Sequence, residues 1–396
     1  MSGPYRDSSE SLLLPQADTA TGGNDTPAKA PSFTFLFILL TNQELCGILA
    51  TIVEQSCNGR KGSKVKTKAN TKKKLLIAAG VVVVALAAAL IFISNYLVNY
   101  AIGRSGNGGD REVALEVDAP ADSVEAVMED NRAAYKSKID TFTMEHPGRD
   151  VTLTADDGLT LHGVYYANAE TADTHRWALV LHGYRGDYTG ALQLAAPYYE
   201  AGYQVIAPDL RACGESEGDY VGMGWLDRED ILRWIDFILA DDPQAKIVIH
   251  GISMGAATTM MTAGESTPDN VKAFVEDCGY TSVWDIFSSE LQLRFGLPEF
   301  PILYTASGVA RLRAGYSFTE ASALVQVAHC EKPMLFIHGT ADDFIPYEMM
   351  DTLYNAKPGD NKAELTAEGA GHSEAMYALG DSYWDTVFDF IAPYMA

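Results

Sequence analysis

Residues 246–261 have the sequence KIVIHGISMGAATTMM. The first five residues form a short apolar run typical of a buried strand, and the small residues that follow Gly255 are compatible with a helix. Between them lies G-x-S-x-G, residues 251–255, in the strand–turn–helix context that this motif requires. Such a turn exposes the serine hydroxyl in strained backbone geometry, and glycines on either side avoid Cβ collisions with the adjoining strand and helix. We therefore predict Ser253 as a nucleophile, with Gly251 and Gly255 shaping its elbow.

A serine nucleophile needs a base, and the chain has eight histidines. His182, His250 and His338 each end a predicted strand just before a glycine, where support of a loop is the expected role. His372 lies in the glycine-rich loop GAGHS after the last predicted strand. An exposed loop suits a general base, so the sequence predicts His372.

The orienting acid should lie between the serine and the histidine in chain order, at the end of a strand. The segment HGTADD, residues 338–343, follows the apolar run PMLFI and offers Asp342, with Asp343 as the reserve candidate. The oxyanion is expected to be bound by two backbone N–H groups, those of Met254 after the nucleophile and Tyr184 in the earlier loop HGYRG.

From Val151 onward, short apolar strands alternate with amphipathic helices, which predicts a mostly parallel, twisted α/β sheet covered by helices on both faces. VTLTADDGLTLHGVYYA, residues 151–167, predicts a hairpin that turns at Asp156-Asp157-Gly158. The later strands are predicted at 177–181, 204–207, 246–250, 271–275, 333–338 and 363–366.

Six segments in order, HGYRG, DLRACGESEG, GISMG, EDCGYTS, HGTADDFIP and GAGHSEA, resemble the alpha/beta-hydrolase superfamily, nearest to bacterial membrane-anchored members similar to serine aminopeptidases and esterases. The resemblance covers residues 151–396. It implies an alpha/beta-hydrolase fold over 150–396, a triad of Ser253, Asp342 and His372, and Tyr184 and Met254 as oxyanion donors. One departure is Ala212-Cys213, where relatives commonly have Gly-His, and it affects a supporting loop.

The same resemblance implies a small helical cap inserted at about 281–331. Six apolar residues there are expected either to line an acyl pocket or to form the core of the cap itself, and both interpretations stay open: Phe287, Leu291, Leu293, Phe295, Leu297 and Phe300.

The N-terminal part has a different character. Residues 1–59 are predicted to form a disordered or weakly apolar region, in which Phe33–Val53 is a weak candidate for a membrane-inserted segment. Residues 60–74 carry eight basic residues and no acidic one, and the uncharged run Leu75–Val98 after them predicts a transmembrane helix. Residues 99–149 are expected to be a linker, flexible at SGNGG (105–109), and a helical lead-in over 111–146 that includes Val113 and Leu115.

The basic run before the span keeps the N-terminus inside and sends the body out of the cell, by the positive-inside rule. An uncleaved anchor in the cytoplasmic membrane is expected; a cleaved signal peptide is the alternative, but the apolar run is long, begins far into the chain and has no clear cleavage site.

The charge of the body argues against nucleic acid as a partner. The net charge is −24, and residues 111–396 hold 18 Lys and Arg against 46 Asp and Glu. An acidic surface repels phosphate backbones. The five cysteines, at 46, 57, 213, 278 and 330, have no metal-site spacing, so neither a metal nor another cofactor is expected. A reactive-thiol role for Cys213 is a minor alternative.

These features predict a serine hydrolase that acts on carboxylic esters, including lipid-like ones, through an acyl-enzyme. The alternatives are a serine peptidase or amidase acting on short peptides, and a catalytically silent binding module tethered to the membrane. The substrate is expected to be a small-molecule ester, a lipid or a short peptide. The sequence leaves the oligomeric state open.

Overall fold

The computed structural model describes residues 66–106 and 123–396, without the side chains of residues 66–72. The chain divides into two compact units, 1–77 and 78–396, and the described part of the first is the beginning of one helix. The predicted region 1–59, with Phe33–Val53, lies outside the described residues, as do Val113 and Leu115 of the expected lead-in.

Helix α1, Lys66–Ile102, contains the predicted span Leu75–Val98. Its part from Lys73 to Ile102 is long and apolar enough to cross a membrane, by length and composition. The linker expected from residue 99 begins later in the structure, and most of its segment predicted to be flexible, 105–109, lies outside the described residues. The helix continues to Ile102, and the chain then pairs with a loop of the body, since Arg104 N–H donates to Asp219 O over 2.8 Å.

The remaining elements are α2 (Val124–Glu145), β1 (Arg149–Thr154), β2 (Thr160–Tyr166), β3 (Arg176–Leu181), α3 (Leu192–Glu200), β4 (Gln204–Pro208), α4 (Asp227–Asp241), β5 (Lys246–Ile252), α5 (Met254–Ala263), β6 (Val271–Asp277), α6 (Val283–Phe295), α7 (Glu299–Arg313), α8 (Ala323–Val327), β7 (Met334–Gly339), α9 (Glu348–Ala356), β8 (Lys362–Ala367), α10 (Ala375–Leu379) and α11 (Asp381–Met395). Two short 3-10 turns lie at Ala172–Thr174 and Tyr188–Ala191.

Within the described residues, eight strands form one sheet in the order β1-β2-β4-β3-β5-β6-β7-β8. The hairpin β1–β2 and the pair β2–β4 are antiparallel, whereas every pair from β4 to β8 is parallel. The predicted mostly parallel sheet is confirmed. Because parallel strands end at one edge, the loops that follow β3, β5, β7 and β8 come together there.

Both faces of the sheet are buried, as expected for strands with helices on each side. Along β3, Ala178 and Val180 belong to one apolar cluster with residues of α3 and α11. Trp177 and Leu179 alternate with them and are equally buried. This pattern explains why the parallel strands are continuous apolar runs.

The segment between β6 and β7 forms the cap. It consists of α6, α7 and α8, and Ser282 at its start pairs with Ser322 near its end through an isolated bridge. The predicted helical insertion at about 281–331 corresponds to these helices.

Candidate functional site

Ser253 lies between the last residue of β5 and the first residue of α5. Its backbone has φ 57° and ψ −117°, a conformation that L-residues rarely adopt, and its N–H donates to Asp277 O over 2.8 Å. A Cβ on Gly251 would lie 2.1 Å from Gly255 O, and one on Gly255 would lie 2.3 Å from Leu181 O. Both positions therefore require glycine.

Three predicted residues meet at the carboxyl edge of the sheet. Ser253 Oγ lies 2.8 Å from His372 Nε2, and His372 Nδ1 lies 2.8 Å from Asp342 Oδ2. Ser253 and Asp342 are buried, and the His372 side chain is about one-fifth exposed. The reserve candidate Asp343 is exposed.

Asp342 is held by more than its contact with His372. Its Oδ1 accepts the backbone N–H groups of Phe344 at 2.9 Å and Ile345 at 2.8 Å. Burial alone would raise the pKa of this carboxyl, but hydrogen bonds from His338 and His372 outweigh burial and hold the pKa well below its usual range. Asp342 is therefore an ionised acceptor at neutral pH.

His338 also contributes to the site, although the sequence analysis predicted for it only the support of a loop. Its Nε2 lies 3.2 Å from Asp342 Oδ2 and 2.9 Å from Ile345 O, and the ring is fully buried. Burial lowers the pKa of His338, but the contact with Asp342 reverses the sign and the pKa is raised. In the sequence, the spacing of four residues between His338 and Asp342 could have indicated that their side chains are in contact.

The other two strand-end histidines have structural surroundings, as expected. His182 accepts the backbone N–H of Leu210 at 2.9 Å, and His250 lies between the hydroxyls of Tyr198 and Tyr383 at 3.2 and 3.1 Å. Burial lowers the pKa of His250 to about 3, so its ring is neutral.

The loop that carries His372 approaches the end of β7 closely. A Cβ on Gly339 would lie 2.2 Å from Ala370 O, so glycine at this position lets the two chains meet. Gly371 N–H donates to Glu374 Oε2 over 3.0 Å, and the ring of Phe344 contacts the imidazole edge-to-face at 5.0 Å. These contacts fix the imidazole between Asp342 and Ser253.

The two predicted oxyanion donors both border the cavity beside Ser253. Met254 is the first residue of α5, so its N–H has no acceptor within the helix and lies at the positive end of the helix dipole. Tyr184 lies in the loop after β3, and among the described residues its backbone N–H has no hydrogen-bond acceptor. Both N–H groups are available to an anion.

The cavity has about 820 Å³ of empty space, part of it open to solvent. Its lining is predominantly apolar and consists of Leu97, Tyr100, Ala101, Tyr184, Met223, Ser253, Met254, Tyr280, Ile286, Phe287, Glu290, Leu291, Arg294, Phe295, Ile302, Leu303, Ala306, Phe318 and Phe344.

The structure divides the six apolar cap residues between different environments. Phe287, Leu291 and Phe295 line the cavity, as one interpretation had it. Leu297 is buried, and Leu293 and Phe300 are exposed by 56% and 74%. Leu97, Tyr100 and Ala101 of α1 also line the cavity. The sequence analysis did not predict that any residue of this helix would border the site.

Glu290 and Arg294 are the charged residues of the lining. They form an ion pair one helical turn apart on α6, and Arg294 Nη1 also lies 3.3 Å from the hydroxyl of Tyr100. This ion pair forms a polar region in the otherwise mainly apolar wall of the cavity.

The loop DLRACGESEG supports the site. Asp209 is buried; it accepts Tyr188 N–H at 2.6 Å and Glu215 N–H at 2.8 Å, and it lies 2.8 Å from His162 Nδ1. Burial raises the pKa of the Cys213 thiol to about 12, which contradicts the reactive-thiol alternative because the nucleophilic thiolate is suppressed.

Cys278, Asp342 and His372 have potential ligand atoms within 4.8 Å of one another. Burial raises the pKa of Cys278 well above its ordinary value, and Asp342 and His372 already bind each other. These residues do not resemble a prepared metal site, which needs deprotonated ligands.

Residues 179–301 match the model of the alpha/beta hydrolase fold family. The uncharacterized protein YqkD of Bacillus subtilis is 29% identical over 235 residues, which cover 59% of this chain and 76% of YqkD. The uncharacterized membrane protein YNL320W of Saccharomyces cerevisiae is 25% identical over 198 residues, covering 49% of this chain and 62% of that protein.

Among solved structures, the esterase Pf2001 of Pyrococcus furiosus superposes with a TM-score of 0.51 at 20% identity and covers 64% of this chain and 94% of the esterase. This is a likeness of fold. The sheet order, the strand–elbow–helix at Ser253 and the match of residues 179–301 agree with one another, and the chain has the alpha/beta-hydrolase fold.

Proposed function

We propose that this protein is a serine hydrolase that cleaves carboxylic esters through an acyl-enzyme on Ser253. The observation that carries the proposal is the continuous contact from Asp342 through His372 to Ser253, with both distances at 2.8 Å, at the wall of an apolar cavity. An apolar cavity of this kind can hold the acyl part of an ester, with the carbonyl carbon of the ester next to the Ser253 hydroxyl.

In the proposed reaction, Ser253 Oγ attacks the carbonyl carbon as His372 Nε2 takes the hydroxyl proton. The ionised Asp342 stabilises the resulting imidazolium. The N–H groups of Tyr184 and Met254 donate to the tetrahedral oxyanion, each worth on the order of 10²–10³ in kcat. His372 then protonates the leaving alcohol. In the second half, His372 takes a proton from water as the water oxygen attacks the acyl carbon, and it returns that proton to Ser253 Oγ as the acyl–oxygen bond breaks and the carboxylic acid leaves.

Esters are favoured over peptides by the charge of the cavity. A peptidase that grips a free amino terminus needs an available carboxylate, and the carboxylate in the lining, Glu290, is bound to Arg294. The apolar remainder offers contacts to acyl chains.

Fluorophosphonate labelling of the full-length protein in detergent micelles tests the nucleophile. We expect labelling of the wild type, loss in Ser253→Ala, and no loss in Ser382→Ala, which removes an exposed hydroxyl on α11. A folded wild type that does not label would contradict the serine mechanism and would favour the silent binding module.

Paired p-nitrophenyl esters and p-nitroanilides with the same acyl group test the leaving group. We expect kcat/KM to be larger for the ester throughout the series. A larger value for the anilides would overturn the ester assignment in favour of a peptidase or amidase.

We further propose that α1 anchors the protein in the cytoplasmic membrane, with the N-terminus inside and the body outside. The basic run at 60–74 followed by an apolar helix supports this orientation. Protease treatment of intact cells should remove the body while leaving a cytoplasmic marker uncut, and a body protected until the cells are lysed would contradict it.

A further inference from the structure

The end of α1 is covered by the cap. The helix is largely exposed as far as Phe92, but Ile93 and Ser94 are buried. Ser94 Oγ lies 2.7 Å from Thr305 Oγ1 on α7, and Arg313 at the end of α7 donates to Asn95 Oδ1 over 3.2 Å. The change from exposed to covered therefore occurs within one helical turn.

The next two turns of α1 form part of the cavity wall beside the nucleophile. Leu97, Tyr100 and Ala101 line the same cavity as Ser253. The Tyr100 ring packs edge-to-face on Phe295 of the cap at 5.4 Å. The anchor helix is thus a component of the candidate active site.

The last turn of α1 is also bound to the loop that carries Tyr184. The Tyr184 hydroxyl donates to Ala101 O. The guanidinium of Arg185 donates to Gly103 O at 2.7 Å and to Gly106 O at 2.9 Å. These bonds satisfy carbonyl groups at and beyond the helix end, which would otherwise lack partners.

The length of the exposed part fits a bilayer. From Lys73 to Phe92 the helix rises about 30 Å, the thickness of a hydrocarbon core. Leu97 then lies about 8 Å and Ala101 about 14 Å above Phe92 along the axis. A headgroup layer is roughly 5–8 Å thick, so the cavity wall begins at the upper limit of the interface.

The cap carries exposed apolar side chains beside its contacts with α1. Tyr304 precedes Thr305 and is 56% exposed, and Leu312 precedes Arg313 and is 87% exposed. Phe300, 74% exposed, packs on Tyr304 at 5.8 Å. Aromatic and aliphatic groups at this level of a membrane helix are typical of contact with the interface.

From these relations we propose that the substrate is a long-chain acyl ester resident in the bilayer, whose chain reaches Ser253 directly from the membrane side. Leu97 and Ala101 on the anchor helix determine which acyl chains fit. This inference rests on the proposed esterase activity and names its substrate class.

Enlarging a side chain in the wall tests the specificity role. The full-length protein in phosphatidylcholine vesicles is assayed with 4-methylumbelliferyl butyrate and oleate. We expect Leu97→Trp to lower the ratio of kcat/KM for oleate over butyrate at least tenfold. Val83→Trp, on the exposed part of the same helix, is the matched control and should keep the wild-type ratio. An unchanged ratio in a Leu97→Trp protein that still labels with fluorophosphonate would overturn the proposal.

If Leu97→Trp fails to label, Leu97→Ala provides the opposite test. Its larger cavity should move the optimum of an ester series toward longer chains, and an unmoved optimum would overturn the proposal. Failure of the proposed function looks different, because a folded wild type would then hydrolyse neither ester and would not label.

Presentation of the substrate tests the route. The oleate ester is placed either in the vesicles that hold the enzyme or in separate vesicles. We expect initial rates at least tenfold higher when both share a bilayer. Equal rates in the two arrangements, with butyrate hydrolysis intact, would contradict entry from the membrane.

Discussion

Asp342 presents Oδ2 to His372 Nδ1 at 2.8 Å, while its Oδ1 accepts two backbone N–H groups of the following turn. The backbone bonds fix the carboxylate, and the carboxylate in turn selects the tautomer of His372 with its proton on Nδ1. That tautomer leaves Nε2 as an acceptor toward the Ser253 hydroxyl.

Asp342→Asn should therefore reduce kcat for ester hydrolysis by about 10⁴, because the amide NH₂ would favour the other tautomer and point a proton at the serine. Oδ1 can still accept the two backbone N–H groups, so the fold should persist. Steady-state kinetics on a short ester would measure the loss. Asp343→Asn is the matched control, and a comparable loss in that variant would reassign the acid.

Gly255→Ala should destabilise the protein and abolish turnover. The new Cβ would lie 2.3 Å from Leu181 O and 2.7 Å from His182 O, both backbone atoms held by the sheet and the loop after it. A strained insertion of this kind costs on the order of 1–3 kcal/mol. Gly308→Ala on α7, where a Cβ has nothing within 4 Å, should instead keep or raise the unfolding midpoint. Unfolding in detergent compares the two, and equal midpoints would refute the steric argument.

Arg185→Ala should lower kcat for short esters between about 10- and 100-fold, with a smaller change in KM. The reason is positional, since Arg185 holds the loop of Tyr184 against the carbonyls of Gly103 and Gly106. Arg185→Lys keeps a donor and should recover part of kcat. Arg233→Ala, on the surface of α4, serves as the arginine control. A variant in which KM alone rises would show that Arg185 does not act through the oxyanion loop.

The sheet, and the edge of it at which the candidate site lies, could be predicted from the sequence because both depend on local sequence patterns. Each parallel strand is a short apolar run. Gly251 is required by its contact with Gly255 inside one strand–turn–helix unit, and Gly255 by its approach to the end of the adjacent strand β3. Once the sheet is parallel, Ser253, Asp342 and His372 must follow strand ends at the same edge of the sheet. Their hydrogen bonds follow from the topology rather than from any single motif.

The role of the end of α1 could not be predicted in this way. Hydropathy measures how apolar a residue is, and it gives similar values for the exposed Val83 and for Leu97, which packs in the cavity wall. Packing between residues two hundred positions apart leaves no periodic trace. The polar pair Ser94-Asn95, inside an otherwise apolar run, was the signal that could have marked the change of environment.

Glu276 makes the stability of the protein depend on pH. It is fully buried at the end of β6, and burial raises its pKa from 4.5 to about 8, against the opposing effects of His338 and the Gly279 N–H. Between these values the folded protein keeps a proton that the unfolded chain releases. This contribution to stability is therefore complete below about pH 4.5 and is lost as the pH rises through about 8.

Glu276→Gln keeps an acceptor for the Gly279 N–H but cannot titrate. Relative to this variant, the wild type should lose free energy of unfolding as the pH rises from 5 to 8, with a slope of up to about 1.4 kcal/mol per pH unit. Urea unfolding at several pH values would measure the difference, with the exposed Glu368→Gln as control. Neighbouring Asp277, whose pKa burial raises to about 6, is present in all three proteins, so its own contribution largely cancels. Parallel curves for the wild type and Glu276→Gln would mean that Glu276 is ionised in the folded protein at neutral pH.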